Sequence, residues 1–172
     1  VPIPDFLSRC GAAVYFASGR LWVMGGASCD YQNFYTDIWS TTDGEHWERA
    51  VSPSTGLWAQ TAWSGRMWPS ACVGADGRMW AVGGYERRDG VGYNLGDVWT
   101  SANGLDWSRL TVNPVVPGIL PAPRHAATCI PDAAANRLIF VAGKGHASGL
   151  NDYSSVLNEV WSLELPRSGI LR

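Results

Sequence analysis

Few side chains in this sequence could do acid–base or covalent chemistry, and their spacing offers little to it. The imidazoles are His46, His125 and His146, the groups whose ordinary pKa lies near neutrality. His46 sits in a tight-turn signal and His125 directly follows Arg124, which leaves His146 as the one open to binding. No HExxH, CxxC or GxSxG pattern occurs, so neither a zinc hydrolase centre nor a nucleophile elbow is encoded. Gly143-Lys144-Gly145-His146 has the glycines and lysine of a phosphate loop. It lacks the GK[ST] ending whose hydroxyl meets magnesium. Arg87-Arg88 could grip a carboxylate, but an isolated arginine pair reads first as a solvated loop. We therefore expect no catalytic residue, no metal ligand set and no cofactor.

Aromatic side chains beside polar ones are the other chemistry on offer. Tyr31, Phe34, Tyr35, Trp58, Trp63, Tyr85, Tyr93 and Tyr153 are interleaved with Asp30, Glu86, Arg87, Arg88, Asp89, Lys144, Asn151 and Asp152. Aromatic and arginine-rich surfaces suit protein hot spots, and aromatic platforms beside Asp or Asn also suit sugars. Some of these rings could instead serve only to pack the interior.

Composition shows what must hold such residues. Of 172 residues, 10 are Trp, 20 are Gly and only 16% are charged, against roughly 25% in ordinary domains. That balance argues against intrinsic disorder. A net charge of −2 gives no basic stripe for nucleic acid. No apolar run approaches the ~18 residues of a membrane-spanning helix, so no membrane insertion is expected. The start at Val1, without an initiator Met, brings processing or truncation into consideration.

Three segments superimpose. Gly19-Arg20-Leu21-Trp22-Val23-Met24-Gly25-Gly26 matches Gly77-Arg78-Met79-Trp80-Ala81-Val82-Gly83-Gly84, and then Asn136-Arg137-Leu138-Ile139-Phe140-Val141-Ala142-Gly143. A second block follows each: Thr36-Asp37-Ile38-Trp39-Ser40, Gly96-Asp97-Val98-Trp99-Thr100 and Asn158-Glu159-Val160-Trp161-Ser162. Glycine reaches φ > 0 without steric cost, so Ser18-Gly19 and Asp76-Gly77 between apolar runs predict tight hairpins. Asp43-Gly44 and Asn103-Gly104 predict another pair, each between tryptophans eight apart (Trp39 and Trp47, Trp99 and Trp107). The unit is thus four antiparallel strands. Residues 156–165 alone could pass for a helix, but their alignment with two strand copies predicts a strand.

These residues resemble the kelch family, whose repeat has an Arg before the innermost strand, a glycine doublet ending the second strand and a Trp on the fourth. Arg9 and Arg124 hold the first position, with Met67 there in the second copy and Arg66 beside it. Gly25-Gly26 and Gly83-Gly84 match the doublet, and Trp47 and Trp107 match the fourth-strand Trp. The turns Ser40–Trp47 and Thr100–Trp107 also resemble the Asp-box of sialidase-type propellers, with the acid or amide shifted one place to Asp43 and Asn103. The resemblance implies an all-β fold, a β-propeller segment of about three four-stranded antiparallel blades at about 9–51, 67–112 and 124–172. The last blade lacks its closing strand, because only three residues follow Gly169. Propellers close with about four to eight blades, so residues 1–172 are expected to be a piece of a larger propeller or one component of an assembly.

Strand order then assigns loops to faces. The tight Gly turns share one face, and the long segments 27–35, 85–95, 144–157, 52–63 and 113–123 share the other, where recognition usually lives. Tyr31, Tyr35, Trp58, Trp63, Tyr85, Arg87, Arg88, Tyr93, His146 and Tyr153 are the candidate binding residues. The tryptophans at repeated positions (22, 39, 47, 80, 99, 107, 161) are read as core. The function implied is a non-enzymatic module binding a protein partner, or further propeller blades from the same or another chain. The other candidate is a carbohydrate-binding or carbohydrate-active propeller of sialidase or oxidase type, its active site mostly outside this segment. The oxidase branch needs two His and two Tyr around one copper ion, and no such set is recognisable.

Folding the first hairpin brings position 10 opposite 27, so Cys10 and Cys29 are expected to form a disulfide. Cys72 and Cys129 each lie five residues after the repeat's first position and are expected as buried thiols. A Cys10–Cys29 bond would imply an oxidising compartment and inclines the reading towards a secreted or cell-surface protein, although no Asn-x-Ser/Thr site accompanies it.

Overall fold

The structure, a computed structural model, describes residues 8–51, 56–115, 120–145 and 155–165. Alternation organises the first sheet. In strand β1 (Ala13–Ala17) Ala13, Tyr15 and Ala17 are buried while Val14 and Phe16 are exposed, as a half-buried strand requires. Ser18 and Gly19, at φ 53° and 71°, turn the chain into β2 (Arg20–Met24). Positive φ at both central residues matches the right-handed twist of the flanking strands. β3 (Ile38–Thr41) and β4 (Glu48–Arg49) complete an antiparallel sheet in the order β1-β2-β3-β4.

The second sheet repeats this order with β5 (Ser70–Val73), β6 (Met79–Arg88), β7 (Val91–Ser101) and β8 (Ser108–Leu110). Here the expected loop 85–95 is not a loop. After a bulge between Val82 and Gly84, β6 and β7 stay paired from Gly84↔Leu95 out to Arg88↔Val91. Asp89 and Gly90 form the tip at φ 49° and 80°, the same turn chemistry as Ser18-Gly19. Short β9 (Arg124–His125) pairs with β12 (Lys144–Gly145). The third sheet runs β10 (Thr128–Asp132), β11 (Arg137–Val141), β13 (Val160–Glu164), so residues 160–164 are a strand, as their alignment predicts. Among the described residues there is no helix, all pairing is antiparallel and no sheet closes on itself.

The sheets stack through alternate faces, with β5 lying against both β1 and β10. Tyr15, Trp22, Met24 and Ile38 of the first sheet pack on Met79, Ala81 and Trp99 of the second, joined by Trp63 and Trp107. Trp80 and Val98, from the other face of the second sheet, pack on Leu138, Phe140 and Trp161 of the third. Buried Tyr15 donates its hydroxyl to the Trp80 carbonyl at 3.2 Å, so the phenol crosses a junction with its polar atom satisfied. The glycine doublets lie where backbones meet. A Cβ on Gly83 (φ 64°) would come within 2.4 Å of the Arg124 carbonyl oxygen and 2.8 Å of that of Leu95.

Both cysteine pairs are bonded, and no described cysteine is free. Cys10–Cys29, with Cα atoms 5.5 Å apart, ties the start of β1 to the segment after β2. Cys72–Cys129, at 5.7 Å, joins β5 to β10 across the second junction, which corrects the expectation of buried thiols. The expectation failed on frame. Arg66, not Met67, takes the repeat's first position, so Cys72 is six residues after it while Cys129 is five after Arg124. Side chains alternate along a strand, so the two sulfurs lie on opposite faces of successive sheets and therefore face each other.

Candidate binding surface

One charged unit occurs three times at the same end of the sheets. Arg9 donates from Nη1 to the Gly25 carbonyl (2.8 Å) and spans both oxygens of Asp37 (2.6 and 2.9 Å). Arg66 donates to the Gly83 carbonyl (2.9 Å) and spans Asp97 (2.5 and 3.0 Å). Arg124 reaches the Ala142 carbonyl (3.1 Å) and Glu159 (2.7 Å). In each case the indole Nε1 of the Trp two residues past the acid donates to the same carboxylate, at 2.7, 2.7 and 2.8 Å. Burial raises the Asp37 and Asp97 carboxyls, but the arginine and the indole outweigh it and hold both below the ordinary carboxylate value. The arginines, acids and indoles satisfy one another, so these charges serve the scaffold.

The histidines are likewise engaged. Thr41 Oγ1 accepts the N–H groups of Asp43 and Gly44, and Asp43 Oδ1 those of Glu45 and His46. Ser101 and Asn103 repeat the arrangement toward Gly104, Leu105 and Asp106. The His46 ring meets Asp43 at 2.7 Å, so it closes this turn. His125 is buried in β9, its Nδ1 2.5 Å from Asn94 Oδ1, which puts the proton of a neutral ring on Nδ1. Burial first, and the Lys144 charge second, push its pKa down to about 4.

His125 belongs to an aromatic cluster at the end where the loops gather. Half-buried Trp68 stacks on it at 5.4 Å and 22°, and Tyr85 meets its edge at 5.6 Å. Tyr31 lies 6.1 Å from Trp68, and Phe34 lies 6.1 Å from Tyr85. Trp68 holds φ 52°, and Gly11 and Ala126, at the matching places two residues past Arg9 and Arg124, hold 63° and 55°. Their backbones join across the junctions, the Trp68 N–H on the Gly11 carbonyl and the Ala126 N–H on that of Trp68. A tryptophan at positive φ is uncommon, so the ring's position is held by its surroundings. Nothing in the repeat pattern marks Trp68, because only the backbone conformation recurs.

The candidate residues separate by burial. Trp63 packs edge-on against Trp107 at 4.3 Å and is core. Tyr85 is buried in β6, inside the aromatic cluster. Both therefore leave the list of surface contacts, because inter-sheet packing has already covered them. Tyr35 is half-buried beneath the Arg9 guanidinium at 4.8 Å. Trp58 stays 58% exposed, with Arg49 5.2 Å from its ring. Tyr31, Arg87 and Arg88 are exposed. Arg88 pairs with buried Glu86 and lies 5.1 Å over the half-buried Tyr93. His146 and Tyr153 lie outside the described residues. Among the described residues no group of three or more His, Cys, Asp or Glu is placed to hold a metal ion, and no helix is long and apolar enough to cross a membrane.

No protein-family model matches the chain, and no curated protein matches its sequence. Among solved structures, the chain is similar to that of YjhT, with a TM-score of 0.62 at 14% sequence identity. The match covers 94% of this chain and 43% of YjhT, so the chain spans less than half of that structure's length. At that identity the likeness concerns the fold alone.

Proposed function

We propose that the three sheets are successive blades of a kelch-type β-propeller segment, and that the face formed by residues 27–35 and the tip of β6 and β7 binds a protein partner without catalysing a reaction. The supporting observation is the threefold Arg–carboxylate–Trp unit, which commits the buried charges of this end to the scaffold. Exposed around it, among Asp30, Gln32, Asn33 and Asp89, are Tyr31, Arg87 and Arg88, with Tyr93 partly exposed, and tyrosine and arginine are residue types enriched at interface hot spots. Stacking of sheets through alternate faces suits radial repetition, and two disulfides suit an oxidising compartment. Carbohydrate binding is the second reading. Half-buried Trp68 on a neutral His125, with Tyr31 beside it, would suit the apolar face of a sugar.

A displayed peptide library panned on the chain, together with a glycan array, tests the first reading against the second. Enriched peptides that lose binding on Tyr31→Ala, Arg87→Ala or Arg88→Ala, with an empty array, are the expected result. A glycan signal abolished by Trp68→Ala or Tyr31→Ala, with no peptide enriched, would overturn it.

A further inference from the structure

Arg49 and Trp58 lie outside the surface proposed above. Among the described residues every arginine but two bonds a carboxylate, hydroxyl or carbonyl oxygen, and the exceptions are Arg49 and Arg109. Both stand opposite the Trp of an Arg–carboxylate–Trp unit, in the pairs Trp39↔Arg49 and Trp99↔Arg109. Each adds its charge to the surroundings of the acid in that unit, Asp37 or Asp97. Asp37 is already spanned by Arg9, so Arg49 brings a second positive charge against one negative. Glu48 does not balance it, because Glu48 stands opposite Ser40 on the other face and pairs with Arg20.

Strand geometry gathers apolar surface beside this charge. The Ala50 N–H donates to the Ile38 carbonyl and carries the β3–β4 pairing one residue further, so Val51 falls on the same face as Arg49. The bridge Val51↔Trp58 then sets the indole next to Val51. Trp58 is 58% and Val51 45% exposed. Arg49 Cζ lies 5.2 Å from the Trp58 ring centroid, within cation–π reach. The Arg49 Nε is buried without an acceptor, whereas its Nη groups stay open to solvent. The second sheet shows that sheet packing leaves this place free: it is docked on the first, yet Arg109 is exposed. The openness of Arg49 is therefore independent of what lies against the first sheet.

We propose that Arg49 and Trp58 form a binding site for a carboxylate carried on an apolar or aromatic body. The outward edge of the guanidinium takes the carboxylate through charge-assisted hydrogen bonds, and Trp58 with Val51 receives the body. A single negative charge matches the one that Arg49 leaves unanswered. A phosphate dianion would bring a further charge into the field of Asp37, and a neutral ring offers nothing charged to the Nη donors.

Titration of the nitrogen-15-labelled chain with phenylacetate, followed at the arginine Nε and tryptophan indole signals, tests this against inorganic phosphate and benzyl alcohol. Phenylacetate should shift the Arg49 and Trp58 signals saturably, and bind at least about tenfold more tightly than either control. Arg49→Gln and Trp58→Ala should each weaken it by at least about tenfold, while Trp58→Phe and Arg109→Gln retain it. Amide spectra show that each variant is folded, and the exposed position of Trp58 keeps the test available where Arg49→Gln disturbs the sheet. Absence of a saturable shift, a shift confined to other residues, or phosphate or benzyl alcohol binding as tightly as phenylacetate would overturn the proposal. Full affinity in folded Arg49→Gln or Trp58→Ala would do the same.

Discussion

Replacing Arg66 by alanine should destabilise the chain far more than replacing Arg124, although both hold the same place in the repeat. Arg66 is 2% exposed and its partner Asp97 only 14%. Its loss leaves the Asp97 carboxylate with the Trp99 indole and the more distant Arg109 charge, and removes donors from the Gly83 carbonyl and from Ser64. Breaking a buried pair from one side typically costs about 3–5 kcal/mol, because a buried charge is left uncompensated. Glu159 is 45% exposed, so after Arg124→Ala water replaces the lost donor, and about 1–2 kcal/mol is expected. Urea unfolding measures the difference. The central difference of about 2.5 kcal/mol, over a slope of about 2 kcal/mol per molar, predicts a midpoint about 1 M lower for Arg66→Ala than for Arg124→Ala. A double-mutant cycle adding Asp97→Ala should recover part of the loss, since the second truncation removes the orphaned charge. Equal losses at Arg66 and Arg124 would refute the argument that burial of the acid sets the magnitude.

Four further outcomes follow from particular residues. His125 is held at about 4 in the folded chain against an ordinary value of about 6.5, so the unfolded chain binds the extra proton in between. Stability should therefore fall as pH falls from 6.5 to 4, and His125→Gln should flatten that slope in pH-dependent thermal melts. The depressed Asp37 and Asp97 carboxyls act at lower pH: their contribution is complete above about 3.9 and is lost as pH falls through their folded values. Removing Cys72–Cys129 as a pair of alanines should cost about 1 kcal/mol more than removing Cys10–Cys29 by loop-closure entropy, since the bridged separations are 57 and 19 residues, as judged by denaturation midpoints. Gly83→Ala, which drives a Cβ against the Arg124 carbonyl, should lose about 1–3 kcal/mol more than Gly77→Ala. At Gly77 no atom lies within 4 Å, so only left-handed strain of about 1–2 kcal/mol applies.

The hairpins and the strand at 160–164 were legible because their signals are local: a glycine turn between apolar runs, and one block aligned on another. Frame was harder. Met67 stands at the same offset from Arg9 as Gly77 from Gly19, and only the guanidinium's bonds to Gly83 and Asp97 show that Arg66 fills the position. That single-residue shift concealed the Cys72–Cys129 bond. The continuation of β6 was hidden by charge, since Glu86, Arg87 and Arg88 look like a loop until Asp89-Gly90 is taken as a hairpin tip. Trp63 and Tyr85 could not be sorted from Trp58 in the sequence. Their burial depends on Trp107 and on Trp68 and His125, neighbours brought by other sheets.

Each Arg–carboxylate–Trp unit is closed within its own sheet: Arg9 answers Asp37, Arg66 answers Asp97 and Arg124 answers Glu159. The arginines themselves meet the neighbouring sheet through main chain, as where the Gly26 N–H donates to the Arg66 carbonyl, a contact whose chemistry does not depend on side-chain identity. A sheet of this type therefore carries its own counter-charge and asks none of its neighbour. Duplicating one such segment in a gene would require no compensating charge in the segments beside it, so an array of them can lengthen or shorten by whole units while the charges of these units stay balanced.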